Sequence, residues 1–446
     1  MSARYKIKKG LNINLIGEAE LLVKDHKINT IALCPEDFRW MKPELKVCVG
    51  DKVRIGTPII TFKDYPEIKI VSPISGEVED IVRGEKRKIE GVIIKSDGEF
   101  EAENFDLDFS LERKAIINTL LTTGLWSLIK QRPFDSIANP NDTPKAIFVS
   151  CFDSAPLAPS YPFILQNRQE EFQKGVEVLS HLANTPIFLG LKADIDNSFF
   201  EATENVGFRY FEGPHPVGNI GTQIHHISPI AKGECAWHIN PQDIACIGRL
   251  YLQKKLDFSK IVAICGSSVE DAFYLKTICG SDVSGAICAS SKSDGKPNLR
   301  VISGNVLSGA NVTSSPFLRY YHNQVTVIPE GGERKLLGWL NPGFRRWSFS
   351  HAYLSWLFPR RKYDFDTTLN GGKRTMVVSD VYEKVFPFDI LPMELLRACE
   401  IEDIELMEQL GIYEVVEEDF ALCDLVCPSK TECQQIIYKG LSLLKE

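Results

Sequence analysis

The chain has 446 residues, of which 44% are hydrophobic and 25% are charged, and its formal net charge is −8. This composition is average for a globular protein, the length predicts about three domains, and the negative charge argues against a nucleic-acid binder. No run of eighteen apolar residues occurs, so we expect no segment that spans a bilayer. The twelve cysteines, without a secretory signal, are typical of free thiols in a reducing compartment.

The first hundred residues contain short β-favouring runs separated by Gly, Asp and Pro, which predicts a strand-rich domain. The spacing of residues 49–59, V-x-x-G-D-x-V-x-x-G, and of residues 72–78, S-P-x-x-G-x-V, resembles the hammerhead of biotinyl/lipoyl-type domains. Such carriers have a modifiable lysine at the hairpin tip. Here Tyr65 and Pro66 flank Lys63, so we interpret Lys63 as a surface residue and the domain as a scaffold.

Helical spacing of apolar residues begins near Ser110, and a strand–helix–strand pattern follows at 145–150, 170–182 and 186–191. This order predicts a Rossmann-like α/β domain. The G-x-G-x-x-G fingerprint, the P-loop and the G-x-S-x-G elbow are all missing, and Gly124 stands alone. We therefore expect no nucleotide cradle.

Residues 213–230, GPHPVGNIGTQIHHISPI, concentrate glycine, proline and histidine, which predicts a shaped, non-helical loop. The candidate binding residues are His215, Gly218, Gly221, His225 and His226. Their spacing does not suit a zinc site, so no metal is expected. Two interpretations stay open: a rigid loop whose histidines satisfy backbone groups, or a ligand or partner surface with backbone N–H groups turned toward an anion.

Beyond this loop, Asn240 and Pro241 predict the start of a helix, and residues 256–265 predict a buried strand. The hairpin pattern of residues 299–309, with residues 324–329 as a further strand, resembles the soluble ligand-binding β-grasp domain. The last seventy residues are helical in pattern, and we interpret the acidic run 400–419 as a solvated face.

Four cysteines near the carboxyl end suggest a metal site that is incomplete. Cys423-x3-Cys427-Pro428 matches the tail of the bacterial ferredoxin motif, while the two leading cysteines are replaced by Glu417 and Phe420. The spacings of Cys399 and Cys433 match no cluster motif. We therefore predict a ferredoxin-like helical domain that holds no cluster.

Residues 344–363 combine seven aromatic side chains with flanking cations, namely Arg345 and Arg346 before the run and Arg360, Arg361 and Lys362 after it. Aromatic rings beside cations are typical of a membrane–water interface, which makes Trp347, Trp356 and the last three cations candidate docking residues. The alternative is an aromatic core segment whose arginines pair with the acidic residues 414–419.

The motifs in their order resemble the NqrA family, a component of the Na+-translocating NADH:quinone reductase, over nearly the whole chain. The resemblance is carried by KGLNINLIG, SPISGEVEDIVRGEKR, LWSLIKQRPF, GPHPVGNIGTQIHHI, GWLNPG, FPFDILPMELLR and LGIYEVVEEDFALCDLVCPSK. It implies a complex of six subunits that passes electrons from NADH through flavins and iron–sulfur centres to quinone and exports Na+. It also implies a peripheral position on the cytoplasmic face of the bacterial inner membrane, docked on the membrane component NqrB near the quinone end.

Within that family the histidines of residues 213–227 become candidate donors to a quinone carbonyl or a partner subunit. We expect this chain to bind no cofactor itself and, when isolated, not to be catalytic. The alternatives are a flavin- and NADH-binding oxidoreductase module of the Rnf type, which would keep the glycine-rich loop and the ferredoxin cysteines, and a biotin- or lipoyl-type carrier.

Together the patterns predict an α+β multidomain protein. We place a biotinyl/lipoyl-like (barrel-sandwich) domain at 1–109, a Rossmann-like α/β domain at 110–257, a β-grasp domain at 258–340 and a mainly helical, ferredoxin-like domain at 341–446.

Overall fold

The computed structural model describes residues 3–292, 298–331 and 347–445. The strands are β1 Ala3–Lys6, β2 Val23–Asp25, β3 Thr30–Leu33, β4 Pro43–Leu45, β5 Lys52–Val53, β6 Pro58–Phe62, β7 Lys69–Val71, β8 Gly76–Arg83, β9 Ile89–Ser96, β10 Lys130–Arg132, β11 Ser136–Ile137, β12 Ile147–Ser150, β13 Ile187–Lys192, β14 Gly207–Glu212, β15 Ala236–His238, β16 Ser259–Cys265, β17 Phe273–Ile278, β18 Leu299–Ser303, β19 Ala310–Asn311 and β20 Gln324–Pro329. The helices are α1 Arg113–Thr123, α2 Tyr161–Leu165, α3 Gln169–Ala183, α4 Ser198–Glu201, α5 Ile220–Ile227, α6 Pro241–Gln253, α7 Ser284–Ser290, α8 Val381–Val385, α9 Pro392–Glu400, α10 Ile404–Gln409, α11 Ala421–Val426 and α12 Cys433–Lys445.

The amino-terminal domain consists of two small antiparallel sheets, ordered β3-β9-β8-β5 and β4-β6-β7. The predicted strands of this region are confirmed, because their alternating apolar residues, such as Ile60, Ile70 and Val78, all point into one core. Lys63 lies exposed between β6 and β7, in agreement with its interpretation as a surface residue.

A seven-stranded sheet, ordered β1-β14-β13-β12-β15-β10-β11, forms the middle of the molecule. Its central strands are parallel, as the buried strand–helix–strand pattern predicts. Alternate residues of β12 face opposite sides: Val149 packs in the main core with α3 and α6, and Phe148 packs against Ile224 of α5. The predicted start of α6 is confirmed, because the Asn240 side chain accepts a hydrogen bond from the Gln242 backbone N–H.

The third sheet is ordered β19-β18-β20-β16-β17-β2 and contains the predicted hairpin and the predicted strand β20. Two amino-terminal segments leave the first domain: β1 pairs in parallel with β14, and β2 pairs in parallel with β17. The predicted domain boundary at residue 109 assigns β1 and β2 to the first domain and does not show that they join other sheets. Pairing between strands so far apart in the chain leaves no pattern in the sequence next to either strand. The division at residue 340 lies outside the described residues.

The carboxyl-terminal region is helical, as predicted, and encloses its own core around Phe386, Leu395, Phe420 and Ile437. The acidic run 400–419 is exposed, as expected, at residues 400–405, but the expectation is wrong for the end of the run. Glu417 and Asp419 are not solvated but buried, with 6% and 3% of their surface exposed. Each is compensated there by an arginine from another domain.

The expectation of a non-helical segment at 213–230 is also wrong for its second half, because α5 runs from Ile220 to Ile227. The prolines are confined to the two ends of the segment, so nothing interrupts backbone hydrogen bonding between Ile220 and Ile227. Ile220, Ile224 and Ile227 share one apolar face, which packs against the sheet beside Phe148.

Candidate functional site

Residues 213–219 connect β14 to α5 and lie beside the residues that follow β12. Ser154 joins their predicted residues: the Gly218 N–H donates to Ser154 Oγ over 2.8 Å, and Ser154 Oγ lies 3.0 Å from Nδ1 of His215. A Cβ on Gly218 would lie 2.5 Å from the Ser154 backbone nitrogen, so the close approach requires glycine. His215 is buried, and burial lowers its pKa to about 4.

Gly221, in the first turn of α5, lies against Asp419 of the carboxyl-terminal domain. A Cβ on Gly221 would lie 2.5 Å from Asp419 Oδ1, so a side chain would displace that carboxylate. One of the two open interpretations turned backbone N–H groups of this segment toward an anion, and the structure places a carboxylate of the chain itself beside Gly221. The positive end of the α5 dipole favours this position for a carboxylate.

The two adjacent histidines of α5 have different surroundings. His225 Nδ1 lies 2.7 Å from Oε2 of Glu414, and its Nε2 accepts the Asp389 N–H over 2.9 Å. Both ring nitrogens of His225 therefore have partners in the carboxyl-terminal domain, which corrects the expectation that it is available to a ligand. His226 Nε2 is buried and has no hydrogen-bond partner in the part of the chain that the structure describes.

A buried network of charges connects three domains behind α5. Arg132 Nη1 donates to Asp419 Oδ2 over 3.1 Å, with 2% and 0% of the two side chains exposed. Arg39, from the amino-terminal domain, donates to Glu417 over 2.5 Å. Although burial opposes it, the Asp419 carboxylate raises the pKa of Arg132, so the guanidinium keeps its charge. Burial raises the pKa of Asp419, and Arg132 opposes that rise. If the interface between these domains opened, each arginine and each carboxylate of the two pairs would lose its partner of opposite charge.

Asp135 extends this network within the α/β sheet. It pairs with Lys130 and lies 2.8 Å from His238 Nε2. Burial opposes its ionisation, but Lys130 and His238 hold the pKa of Asp135 well below its usual range. For Glu418, next to Asp419, burial and the Asp419 charge outweigh the opposing effect of Arg132 and raise its pKa to about 7.

The four carboxyl-terminal cysteines, Cys399, Cys423, Cys427 and Cys433, are all free and all buried in the helical core. The Tyr382 hydroxyl donates to Cys427 Sγ over 3.0 Å, and although burial opposes it, this hydrogen bond lowers the pKa of Cys427. Burial raises the pKa of Cys423 well above its usual value. In the described ranges, no three His, Cys, Asp or Glu side chains are arranged to hold a metal ion.

The predicted docking residues lie on a surface that we call the aromatic–basic surface, residues 354–362. Trp356, Leu357 and Phe358 are about half exposed, at 52%, 50% and 51%, and Arg360, Arg361 and Lys362 follow at once. Trp347 is half-buried against Phe365, at 5.8 Å between ring centroids, and Arg345 and Arg346 lie outside the described residues. The segment is therefore not a core element.

The acids 414–419 do not depend on these cations for compensation. Glu414 pairs with His225, Glu417 with Arg39 and Asp419 with Arg132, while Lys362 pairs with Glu18. Sequence reasoning missed Arg39, Arg132, Asp419 and Ser154. None of them stands out locally, since Asp419 ends an acidic run and Arg132 follows Lys130 and Gln131.

We expect the free energy of unfolding to depend on pH through the protonation of His215. Because its folded pKa is below the unfolded value, stability is lost as pH falls from about 6.5 toward about 4, by at most about 1.4 kcal/mol per pH unit. We expect His215→Asn to remove that part of the slope of unfolding free energy between pH 6.5 and 4.5. His181→Asn, at an exposed site on α3, is the matched control, and equal slopes in both variants would contradict the assignment.

A barrel-sandwich domain, an α/β domain, a third sheet and a helical region, joined by buried ion pairs, define a multidomain α+β protein with an exposed aromatic–basic surface. Family models match residues 5–97 as "NqrA N-terminal barrel-sandwich hybrid domain", 111–256 as "NqrA second alpha/beta domain" and 261–314 as "NQRA C-terminal domain". The chain belongs to the NqrA family, whose members are components of the Na(+)-translocating NADH-quinone reductase.

Relatives named as this component of the reductase are similar over their full length. The protein from Rhodopirellula baltica is 36% identical and covers 99% of this chain and 98% of its own. One from Neisseria meningitidis serogroup C is 37% identical and covers 99% of each chain. Among solved structures, a NAD+-reducing [NiFe]-hydrogenase has a TM-score of 0.33 at 11% identity over 49% of this chain and 47% of its own, and so low a score supports no inference. Within the described residues, no helix is long and apolar enough to cross a bilayer.

Proposed function

We propose that this chain is the peripheral NqrA component of a reductase that oxidises NADH, reduces quinone and exports Na+, and that it docks on the membrane component NqrB at the cytoplasmic face of the inner membrane. Family membership supports the complex. The observation that supports the docking is the aromatic–basic surface, where Trp356, Leu357 and Phe358 are about half exposed and three cations follow them.

We expect the triple variant Arg360→Glu, Arg361→Glu, Lys362→Glu to be released from membranes that contain the other subunits. Reversing three cations removes attraction to the partner and to anionic lipid, while these exposed positions contribute little to folding. Sedimentation of the membranes measures release, and an unchanged thermal midpoint shows that the variant stays folded. A triple variant that stays bound at moderate salt would exclude this surface as the docking site.

At the finer level of the fold, we propose that the middle domain is Rossmann-like, the third domain β-grasp and the helical region ferredoxin-like. The first assignment is supported by the order of the parallel strands. If β12, β13, β14 and β15 are numbered 1 to 4 along the chain, they lie side by side in the order 3-2-1-4, which is typical of a Rossmann-like sheet. The hairpin of β18 and β19, extended by β20, supports the second. The helices around Cys423 and Cys427 support the third.

We also propose that the interface between α5 and the carboxyl-terminal domain, which we call the seam, contributes to the site where the reductase binds quinone. Of the residues first considered, His215, Gly218, Gly221 and His225 have partners or close contacts inside the chain, so His226 carries this proposal. A buried ring nitrogen without a partner costs about 1–3 kcal/mol, which a ligand that hydrogen-bonds to it would recover.

His226→Ala in the assembled complex is expected to weaken a quinone-site inhibitor about tenfold, the loss of one buried hydrogen bond. Titrating the inhibitor against the NADH:quinone activity of the complex measures this change in affinity. His225→Ala is the comparison, because loss of its bonds to Glu414 and Asp389 should lower thermal stability instead. Unchanged inhibitor affinity in an intact His226→Ala complex would make the seam purely structural.

A further inference from the structure

We propose that a proton on Glu418 holds the carboxyl-terminal region against the α/β domain, so that the attachment between them is a pH-sensitive switch. The attachment includes the seam, because the next residue, Asp419, lies against Gly221 of α5. Loss of the proton adds a negative charge to an interface that already holds several, and the two domains then separate more readily.

The first observation is that three consecutive acids meet different surroundings. Glu417 is paired with Arg39 of the amino-terminal domain, and Asp419 is paired with Arg132 of the α/β domain. Glu418 lies between them, is mostly buried, and has no hydrogen-bond or ion-pair partner among the residues that the structure describes. A carboxylate that leaves water without gaining a partner is unstable and takes up a proton instead.

The second observation is an excess of acids around this turn. The charged groups that face Glu418 are Asp419 from its own turn, Arg132 and Asp135 from β10 and the residues after it, and Asp153 from the residues after β12. Five carboxylates share three cations in this interface, namely Asp135, Asp153, Glu417, Glu418 and Asp419 with Arg39, Lys130 and Arg132. His238, which lies beside Asp135, adds no charge near neutral pH because burial lowers its pKa. Within the described ranges, two of the carboxylates therefore have no cation of their own.

The two carboxylates without a cation, Asp153 and Glu418, are not equivalent. Asp153 accepts the Ala155 backbone N–H over 2.8 Å, and this hydrogen bond opposes the rise that burial causes in its pKa. Glu418 has no such donor in the described part of the chain, and burial with the Asp419 charge raises its pKa to about 7 against the effect of Arg132. The proton is therefore bound by Glu418 and leaves near neutral pH.

The direction of the pH effect follows from the two states of Glu418. When the domains separate, its side chain enters water and its pKa returns toward the ordinary value of 4.5. Proton binding therefore stabilises the closed interface at low pH, and this stabilisation is lost as the pH rises from about 4.5 to about 7. Between pH 6 and pH 8, the equilibrium constant for opening should rise about tenfold.

Backbone hydrogen exchange of the full chain measures this opening. The rates of residues 412–426, corrected for the pH dependence of exchange itself, should rise about tenfold from pH 6 to pH 8. Glu418→Gln keeps the size of the protonated side chain without a titratable group, so we expect slow exchange at both pH values. Glu405→Gln removes an exposed carboxylate from α10 of the same region and, as the matched control, should keep the tenfold rise. His215 titrates in both variants, so it cannot cause a difference between them.

Infrared spectroscopy detects the proton itself and gives a second readout in the unaltered chain. A carboxylic-acid carbonyl band should disappear between pH 6 and pH 8, and Glu418→Gln should lack this band. Equal pH dependence of exchange in the unaltered chain and in Glu418→Gln would overturn the proposal. A band that remains in Glu418→Gln but is absent from Asp153→Asn would assign the proton to Asp153 and would overturn it as well.

Discussion

Asp419→Ala is expected to destabilise the folded chain by about 3–5 kcal/mol, because it leaves the Arg132 guanidinium buried without its anion. The same substitution frees the backbone N–H of Val416, which donates to Asp419 over 2.9 Å. Urea unfolding followed by circular dichroism measures the effect, and the helical carboxyl-terminal region should separate first, since Asp419 joins it to the α/β sheet.

Two comparisons show whether burial is the cause. Lys232→Ala breaks an ion pair with Glu408 whose lysine is 68% exposed, so its effect should stay within about 1 kcal/mol. The double variant Arg132→Met, Asp419→Leu removes both charges and should recover most of the loss. If Asp419→Ala were no more destabilising than Lys232→Ala, the buried pair would not hold the domains together.

Gly248→Ala should destabilise the α/β domain by about 1–3 kcal/mol or more, because α3 and α6 cross at this residue with their backbones in contact. A Cβ on Gly248 would lie 1.7 Å from the Glu171 carbonyl oxygen, which no side-chain rotation can relieve. Gly175→Ala, from the facing helix, should act the same way, since its Cβ would lie 2.1 Å from the Ile244 carbonyl oxygen. Thermal unfolding of the two variants measures the loss.

Gly285→Ala is the matched control for these substitutions. Gly285 is also a helix residue, in α7, but a Cβ there would meet no atom within 4 Å. Helix propensity and the entropy of the unfolded chain then favour alanine by up to about 1 kcal/mol. A Gly248→Ala variant as stable as Gly285→Ala would show that the two helices can move apart at little cost.

Prediction from the sequence was most successful where a pattern repeats over a whole element. The alternation in β6 to β9 and the helical spacing of α3 gave their positions to within a few residues, because each apolar side chain reports the same core face. It was least successful in residues 213–230. There the glycines and prolines at the ends predicted a loop throughout, and the isoleucine face of α5 was overlooked.

The candidate site shows the same contrast. His215 and Gly218 were found, because glycine and histidine next to proline stand out locally. Ser154, Arg132 and Asp419 were not, because each is an ordinary residue until the chain brings it against a partner many positions away. Interpreting residues 400–419 as solvated was right for the exposed acids 400–405 and wrong for Glu417 and Asp419 for the same reason: a carboxylate buried against a distant arginine looks the same in sequence as one in water.

By itself, then, the sequence determined the family, the strand-rich amino terminus, the parallel α/β centre and the aromatic run with its cations. These depend on local order and composition, which the chain carries before it folds. Only the tertiary structure decided that β1 and β2 join sheets of other domains, that Asp419 occupies the amino end of α5, and that Trp356, Leu357 and Phe358 face outward. Burial and pairing are properties of contacts between distant residues, so they become visible only when the whole chain is packed.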